Sequence, residues 1–356
     1  DGLVSSGVPA GKVVVVPHGV KREDLCNENT WDELVSARAE ARSALERLVR
    51  SLGINYNCPE NAFTFFFHGG LLRRKGIDLA LQVFKHMSGF DDDYTQSLSG
   101  CKCWWLDDSA PKSCACCKEG FALCDEENPH QCVVKGRGND CGKPEAQRVP
   151  PRQTSGASVC LIVHSIYGDE DAKNMLSSIK SVHAGIPIVH IPADLSQADL
   201  AALYRGTDAL LHPSRSESFG LAVAEAMSCG LPVISTGHGA VLDFIDKDSA
   251  WLVPAVDSTC DQAPCDAHGK EVFGLESAGT LTWGSSTPDQ LQIVMEEVIA
   301  ASSSNGLAAK ARRGWEHVRK TLTWENAHRI VLGRLHALMN EPKAGGTLMG
   351  STAAGS

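Results

Sequence analysis

Two carboxylates in the segment HPSRSESFGLAVAEAMSCGLPVIS, Glu217 and Glu225, stand among small and apolar residues where a plain core helix needs neither. Asp208–His212 reads as a strand, and Pro213–Glu217 as the loop leaving its carboxyl end. Gly220–Ser228 then reads as a helix of high intrinsic propensity. A glycine in the first turn, Gly220, lets a ligand approach the backbone closely. The unpaired N–H groups there, with the positive helix end behind them, suit a phosphate or a sugar oxygen. Glu217 remains in the loop, facing whatever docks at that turn. Glu225 lies about one and a half turns into the helix, where a carboxylate accepts two hydroxyl hydrogen bonds at once. Either glutamate alone is also explained as a solvated residue on a capped strand–helix unit.

A second loop, His68-Gly-Gly-Leu-Leu-Arg-Arg-Lys75-Gly76, follows a nearly continuous apolar run. Gly69 and Gly70 allow close backbone approach, and Lys75 offers a point charge for a diphosphate. The plainer reading is a basic solvated turn. His212, His164 and His190, at strand ends, read as packing or loop residues, as do Met227 and Cys229. Asp91-Asp92-Asp93 reads as a solvated acidic turn, so no metal ligand is assigned.

The elements that must carry these loops alternate between short apolar runs and helical patterns, the mark of a parallel sheet covered by helices. Strands are expected at Lys12–Val16, Phe63–Phe67, Val159–His164, Ile186–Ile191, Ala209–His212, Pro232–Ser235 and Trp251–Val253. Helices are expected at Trp31–Leu52, Gly76–Met87, Ala172–Val182, Gln197–Tyr204 and Gly220–Ser228, then near Pro288–Ala301, Leu307–Thr321 and Trp324–Met339. Ser196 is a favourable N-cap for its helix, and Pro288 sits well as a first helical residue after Thr287. The predicted organisation is one α/β domain over 1–340, interrupted by an insert at 88–157, with a disordered tail at 341–356. The stretch Val256–Trp283 is a second, shorter irregular segment. Because the insert joins a helix to the next strand, it should emerge at the amino ends of the strands. Ligands of such sheets bind outside the carboxyl ends, so the insert is expected to lie away from the site.

The insert holds eight of the 14 cysteines: Cys101, Cys103, Cys114, Cys116, Cys117, Cys124, Cys132 and Cys141. A cluster this dense fits disulfides, a zinc site or free thiols. Across 356 residues the formal charge is −10, with no long basic block, which argues against nucleic acid or an anionic membrane surface as the main partner. No apolar run is long enough for a membrane span. The opening residues DGLVSSGVPAGKVVVVPHGV lack an initiator Met and read as the middle of a longer protein.

Taken together, ESFGLAVAEAMSCGLPVI resembles the E-x7-E segment of the retaining glycosyltransferases of family 4, whose fold is of the GT-B type. PHGVKREDL resembles that family's hinge strand, and FTFFFHGGLLRRKGIDLALQVF its first strand, phosphate loop and first helix. ADLSQADLAALYRGTDALLHPS and KARRGWEHVRKTLTWENAHRIVLGRL resemble the elements before the motif and the closing helices. The resemblance implies a Rossmann-like α/β fold, the carboxy-terminal, donor-binding half of a GT-B enzyme. It implies transfer of a sugar from a nucleotide-sugar donor to a hydroxyl acceptor with retention, and no essential metal. By position, Glu217 would lie beside the transferred sugar and Glu225 would bind the ribose. The amides of Ser218, Phe219, Gly220 and Leu221 would approach the sugar and diphosphate, with Lys75 as the matching lysine. Gly70 departs from the pattern: many relatives carry an arginine there, so diphosphate binding would lean on Lys75. Base and sugar selection would fall to side chains around Ile191–Asp194 and Ser165–Gly168. The amino-terminal, acceptor-binding half is expected as a partner, in cis or in trans. Two other classes of function fit the same residues: a non-catalytic nucleotide-sugar-binding module, and an interaction protein acting through its insert.

Overall fold

The computed structural model describes residues 8–88, 97–98, 101–104, 113–117, 120–124, 132–133, 158–182, 185–259 and 282–340. Its centre is a parallel sheet of six strands: β1 (Phe63–His68), β2 (Val159–His164), β3 (Ile188–Ile191), β4 (Ala209–His212), β5 (Val233–Thr236) and β6 (Trp251–Val253). Their spatial order is β3-β2-β1-β4-β5-β6, the order of doubly wound nucleotide-binding sheets. β1 and β2 run in register from Phe63 opposite Val159 to His68 opposite His164.

Helices cover both faces. They are α1 (Trp31–Ser51), α2 (Ile77–Met87), α3 (Glu170–Val182), α4 (Gln197–Gly206), α5 (Leu221–Ser228), α6 (Pro288–Ser302), α7 (Gly306–Thr321) and α8 (Trp324–Asn340). The side-chain period of two along each strand divides the core. Phe65, Phe67, Leu161 and Val163 pack with α2, α3 and α6. Phe66, Cys160, Ile162 and Leu210 face α1, α4, α5 and α7. Strands buried on both sides therefore read as unbroken apolar runs, as the sequence pattern suggested.

Local sequence fixes the helix starts. Thr30 and Glu33 form a capping box on α1, and Thr287 and Gln290 form one on α6 with Pro288 at its first position. Ser196 caps α4 as expected, accepting from the Asp199 amide at 3.1 Å. Arg42 of α1 joins the amino ends of β1 and β4. It donates to the Ala62 carbonyl at 2.9 Å and to Asp208 at 2.8 Å, and Asp208 also accepts from the Thr64 amide.

Two disulfides brace the sheet, and neither involves the clustered cysteines. Cys26 is bonded to Cys229 at the end of α5, with Cα atoms 5.1 Å apart. Cys58, ahead of β1, is bonded to Cys160 in β2, with Cα atoms 5.3 Å apart. The reading of Cys229 as a packing residue is thus corrected: it is buried, and it is also a covalent tie between the chain's entry and α5. In the insert, which runs from the end of α2 to the start of β2, the described residues form five short antiparallel strands. The side chains of the clustered cysteines, Asp91–Asp93 and the tail lie outside the described residues.

The expected strand at Lys12–Val16 does not form. Ala10–Lys12 is a single 3-10 turn, and Val15 is 63% exposed. An apolar run becomes a strand only where a sheet edge is available to pair it. The described contact of this segment is instead with α8, where Arg334 donates to the Gly11 carbonyl at 3.1 Å. Part of the second irregular stretch is ordered after all, as an antiparallel hairpin of Val256–Thr259 with Thr282–Ser285. No helix among the described residues is long and apolar enough to cross a membrane.

Candidate functional site

The chain reverses its winding direction between β1 and β4, which are neighbours in the sheet but separated by two strands in sequence. Loops leaving the carboxyl ends of such a pair diverge and open a crevice. Here those loops are residues 69–76 and 213–220, the two segments whose residue types suggested chemistry.

The loops are zipped together. The Arg215 amide donates to the Arg74 carbonyl at 2.8 Å, and the Ser214 hydroxyl donates to the same carbonyl at 3.2 Å. Gly76 is in the left-handed region, φ 74°, and a Cβ there would stand 2.0 Å from the Pro213 carbonyl oxygen. Only glycine permits this approach. It brings Lys75 to Glu217, Nζ to Oε1 at 2.5 Å, with the lysine side chain 18% and the carboxylate 9% exposed. His212, at the end of β4, donates from Nε2 to the same oxygen at 3.1 Å, and its Nδ1 lies 3.3 Å from Ser235 Oγ.

Burial alone would raise the Glu217 pKa. The His212 hydrogen bond and charge, and then Lys75, more than offset it and bring the carboxyl down to about 2. Glu217 is therefore an anion at any physiological pH. It can hold or stabilise positive charge, but it has no proton to give.

Glu225 sits differently. It is enclosed in α5, and burial raises its pKa above the ordinary value, partly countered by a hydrogen bond from Tyr204 and by His18. The Tyr204 hydroxyl, fully buried in α4, donates to Glu225 Oε2 at 2.8 Å. Burial first and the neighbouring carboxylate second push that phenol well above its usual pKa, so it remains a donor. One face of Glu225 is thereby tied down while Oε1 stays available as an acceptor.

Between the two glutamates, Gly220 caps α5 with φ 95°, and an added Cβ would meet Val241 at 2.6 Å. The amides that open a helix have no partner within it, so those of Gly220 and Leu221, with the Ser218 and Phe219 amides in the turn before them, lie at a terminus of the kind that suits an anion. The Phe219 ring stacks on Phe244 with centroids 5.0 Å apart and has the His18 ring 5.7 Å away, while Leu221 is exposed.

At the other side of the crevice, Gly69 leaves open space, whereas Gly70 is covered. A Cβ on Gly70 would meet the Tyr167 ring at 2.4 Å, and Tyr167 itself is 55% exposed. The tyrosine thus occupies the room that a side chain at position 70 would need. Below it, His68 and His164 stack at 2° with their Nδ1 atoms 2.8 Å apart. Burial, and then the neighbouring His164, Lys75 and His212, lower the His68 pKa to about 3, so the ring stays neutral.

Lys75, Glu217 and the amino end of α5 are thus brought to one crevice, with Glu225 following in α5. Sequence reasoning left His212 unassigned and passed over Arg215, Asp78 and Tyr204, while Tyr167 lay within the stretch Ser165–Gly168 named for base and sugar selection. A histidine ending a strand five residues before Glu217 was a usable signal for His212. No local signal marks Arg215, Asp78 or Tyr204, because their partners lie far away in sequence.

Residues 162–259 match the family model described as glycosyl transferases, group 1. D-inositol 3-phosphate glycosyltransferase of Corynebacterium kroppenstedtii is 32% identical over 109 residues, covering 28% of this chain and 24% of that protein. Sulfoquinovosyl transferase of Arabidopsis thaliana is 37% identical over 70 residues, covering 20% of this chain and 14% of that protein. Among solved structures, a glycosyltransferase from Rickettsia africae superposes with a TM-score of 0.53 at 11% identity, over 94% of this chain and 60% of that one. HepE of Anabaena in complex with UDP-glucose gives 0.51 at 13% identity, again over 94% and 60%. At these identities the structural matches establish the fold alone. The D-inositol 3-phosphate enzyme is matched over about a quarter of its length, and the solved glycosyltransferases over about three fifths of theirs. The family match spans residues 162–259, which include the segment from Glu217 to Glu225, and the solved structures share the fold of GT-B-type glycosyltransferases.

Proposed function

We propose that the chain is the donor-binding domain of a retaining glycosyltransferase, which transfers a sugar from a nucleotide-sugar to a hydroxyl acceptor. The observation that carries this reading is the convergence of Lys75, Glu217 and the amino end of α5 at the β1/β4 reversal. Such a crevice suits a nucleoside diphosphate bearing a group to be transferred.

Lys75 has three N–H donors, so it can keep Glu217 and still donate to a diphosphate oxygen. Together with the α5 amides it offsets negative charge growing on the departing diphosphate. Glu217, held ionised, positions the sugar and stabilises positive charge developing near its anomeric carbon. Glu225 accepts hydrogen bonds from the ribose hydroxyls and sets the register of the nucleotide. The reading requires no cofactor and no essential metal. An acceptor-binding half, in cis or in trans, completes the enzyme, in keeping with the share of the solved glycosyltransferases that this chain spans.

Calorimetric titration with UDP, GDP and ADP tests the reading, with a Glu225→Ala variant alongside. UDP is the first choice because HepE of similar fold was solved with UDP-glucose. One nucleotide should bind saturably. Loss of the ribose hydrogen bonds should weaken it by about 1–3 kcal/mol. Equal affinity in the variant would remove Glu225 from the site. No binding of any of the three, alone or with an acceptor-binding half supplied, would overturn the donor-domain reading.

A further inference from the structure

Lys75 and Glu217 meet across 142 residues of chain at 2.5 Å, yet the sheet itself does not fix that distance. The β1–β4 pairing is registered only at Phe65 opposite Ala209 and Phe66 opposite Leu210, well short of both loops. Something beyond the strands must hold the loops in step.

We infer that Arg215 is the positioning residue that sets the Lys75–Glu217 contact, and that the hairpin of Val256–Thr259 with Thr282–Ser285 is its clamp. Arg215 bonds in three directions. Its guanidinium grips Asp78, in the first turn of α2, through two parallel hydrogen bonds of 2.7 Å each. The same group donates to the Arg73 carbonyl, while the Arg215 amide donates to the Arg74 carbonyl. The two residues before Lys75 are thus tied to a residue two positions before Glu217. On the outer side, the Arg215 carbonyl accepts from the Gly284 amide at 2.8 Å, and the Trp283 ring lies 5.6 Å from the guanidinium carbon.

The hairpin is seated in turn on the loop after β5. His238 bonds Asp257 at 2.7 Å, and a Cβ on Gly284 would strike His238 at 2.4 Å.

Beside Glu217, Arg215 would be a natural diphosphate ligand, but its charge is already spent. Its side chain is 13% exposed, that of Asp78 15%, and the fork geometry is satisfied. Asp78 also favours the positive end of α2, which holds the pair in place. Arg215 therefore acts through Lys75 and Glu217 rather than on a ligand. A lysine would keep the charge but could not span Asp78 and Arg73 together. This assignment deepens the donor-site reading for ligand binding, while its geometric core stands independently of any nucleotide.

The test reads Lys75 directly. Wild type, Arg215→Lys, Asp78→Asn and Trp283→Leu are treated briefly with an amine-acetylating reagent, and acetylation of each lysine is followed by peptide mass spectrometry. Lys12, outside the site, is the internal reference. Lys75 should label slowly in wild type. It should label about three- to tenfold faster in Arg215→Lys and Asp78→Asn as the charge-assisted contact loosens, with Lys12 unchanged. A smaller rise is expected for Trp283→Leu.

Unfolding would accelerate every lysine, so a variant that fails to fold identifies itself, and Trp283→Leu, which leaves the ion pair whole, then decides. An unchanged Lys75 rate in folded variants overturns the assignment. Failure of wild type to bind UDP, GDP or ADP would count against the donor site without touching the labelling result.

Discussion

The loop after β4 and the helix α5 each carry one glutamate, and their surroundings push the two in opposite directions. Glu217, in the loop, meets His212 and Lys75 and is held as an anion with a pKa of about 2. Glu225, in the helix, meets the neutral phenol of Tyr204, and its pKa is raised by burial. Loop residues can be reached by charged partners from other loops, whereas a helix interior offers packing and neutral donors. The first environment makes a fixed charge, suited to a charge that appears only during reaction. The second makes an oriented acceptor, suited to hydroxyl groups already present in the ground state. Two residues of one type, eight positions apart, are thereby given opposite electrostatic environments, which under the proposed function suit a chemical and a binding role.

The strongest way to break this comparison is Glu217→Gln in the complete enzyme. The amide keeps the shape and removes the charge. Transfer should fall by about 10²–10³-fold in kcat, the scale of losing one electrostatic stabiliser of a transition state, with nucleotide affinity little changed. Steady-state kinetics beside nucleotide titration would separate the two. A fall in affinity with kcat intact would reverse the roles assigned to Glu217 and Glu225.

The next effect is on stability in acid. A carboxyl with a folded pKa of about 2 and an ordinary value of 4.5 contributes stability above pH 4.5 that is lost as pH falls toward 2. The amount is on the order of 3 kcal/mol at neutral pH. His68 acts with the same sign from higher pH. Held neutral down to about 3 against an ordinary 6.5, it takes up a proton only on unfolding, so its contribution declines as pH falls below 6.5. Urea unfolding from pH 7 to pH 3 should show a slope that steepens below 4.5. Glu217→Gln should remove the steep part and leave the shallow one. An identical pH profile in the variant would mean that the His212–Lys75 pair does not hold the charge in solution.

How much of this the chain announced depends on the range of the interaction. The sheet strands were legible because burial on both faces leaves apolar runs such as Phe63–Phe67, and Ser196, Thr287 and Pro288 marked helix starts by local chemistry. Glu217 and Glu225 stood out because charge among small residues is unusual, and Lys75 because it closes a loop opened by two glycines. Lys12–Val16 misled because β-forming residues record a preference, while pairing needs a free edge. Tyr204 is a core residue apart from its hydroxyl, and the helical pattern that placed it gave no sign of the bond to Glu225. The bonds of Arg215 to Asp78 and of Cys26 to Cys229 join positions 137 and 203 residues apart, and no spacing rule reaches that far. The dense cysteine cluster drew attention away from the four residues that form the two observed disulfides.

The smallest effect sharpens the helix side of the comparison. Tyr204→Phe removes one hydroxyl from a buried site and leaves the ring, which packs edge-on to Phe66 at 5.4 Å. Glu225 then loses the hydrogen bond that partly counters burial, so its pKa rises further. Nucleotide binding that depends on ionised Glu225 should weaken a few-fold at neutral pH, about 1 kcal/mol for one hydrogen bond. Its acid limb should move to higher pH, because protonation now begins sooner. Calorimetric titrations at several pH values read both changes. A tyrosine that served only as packing would leave the acid limb where it was, since phenylalanine keeps the shape. A shifted limb with modest loss of affinity would mark Tyr204 as the group that orients Glu225.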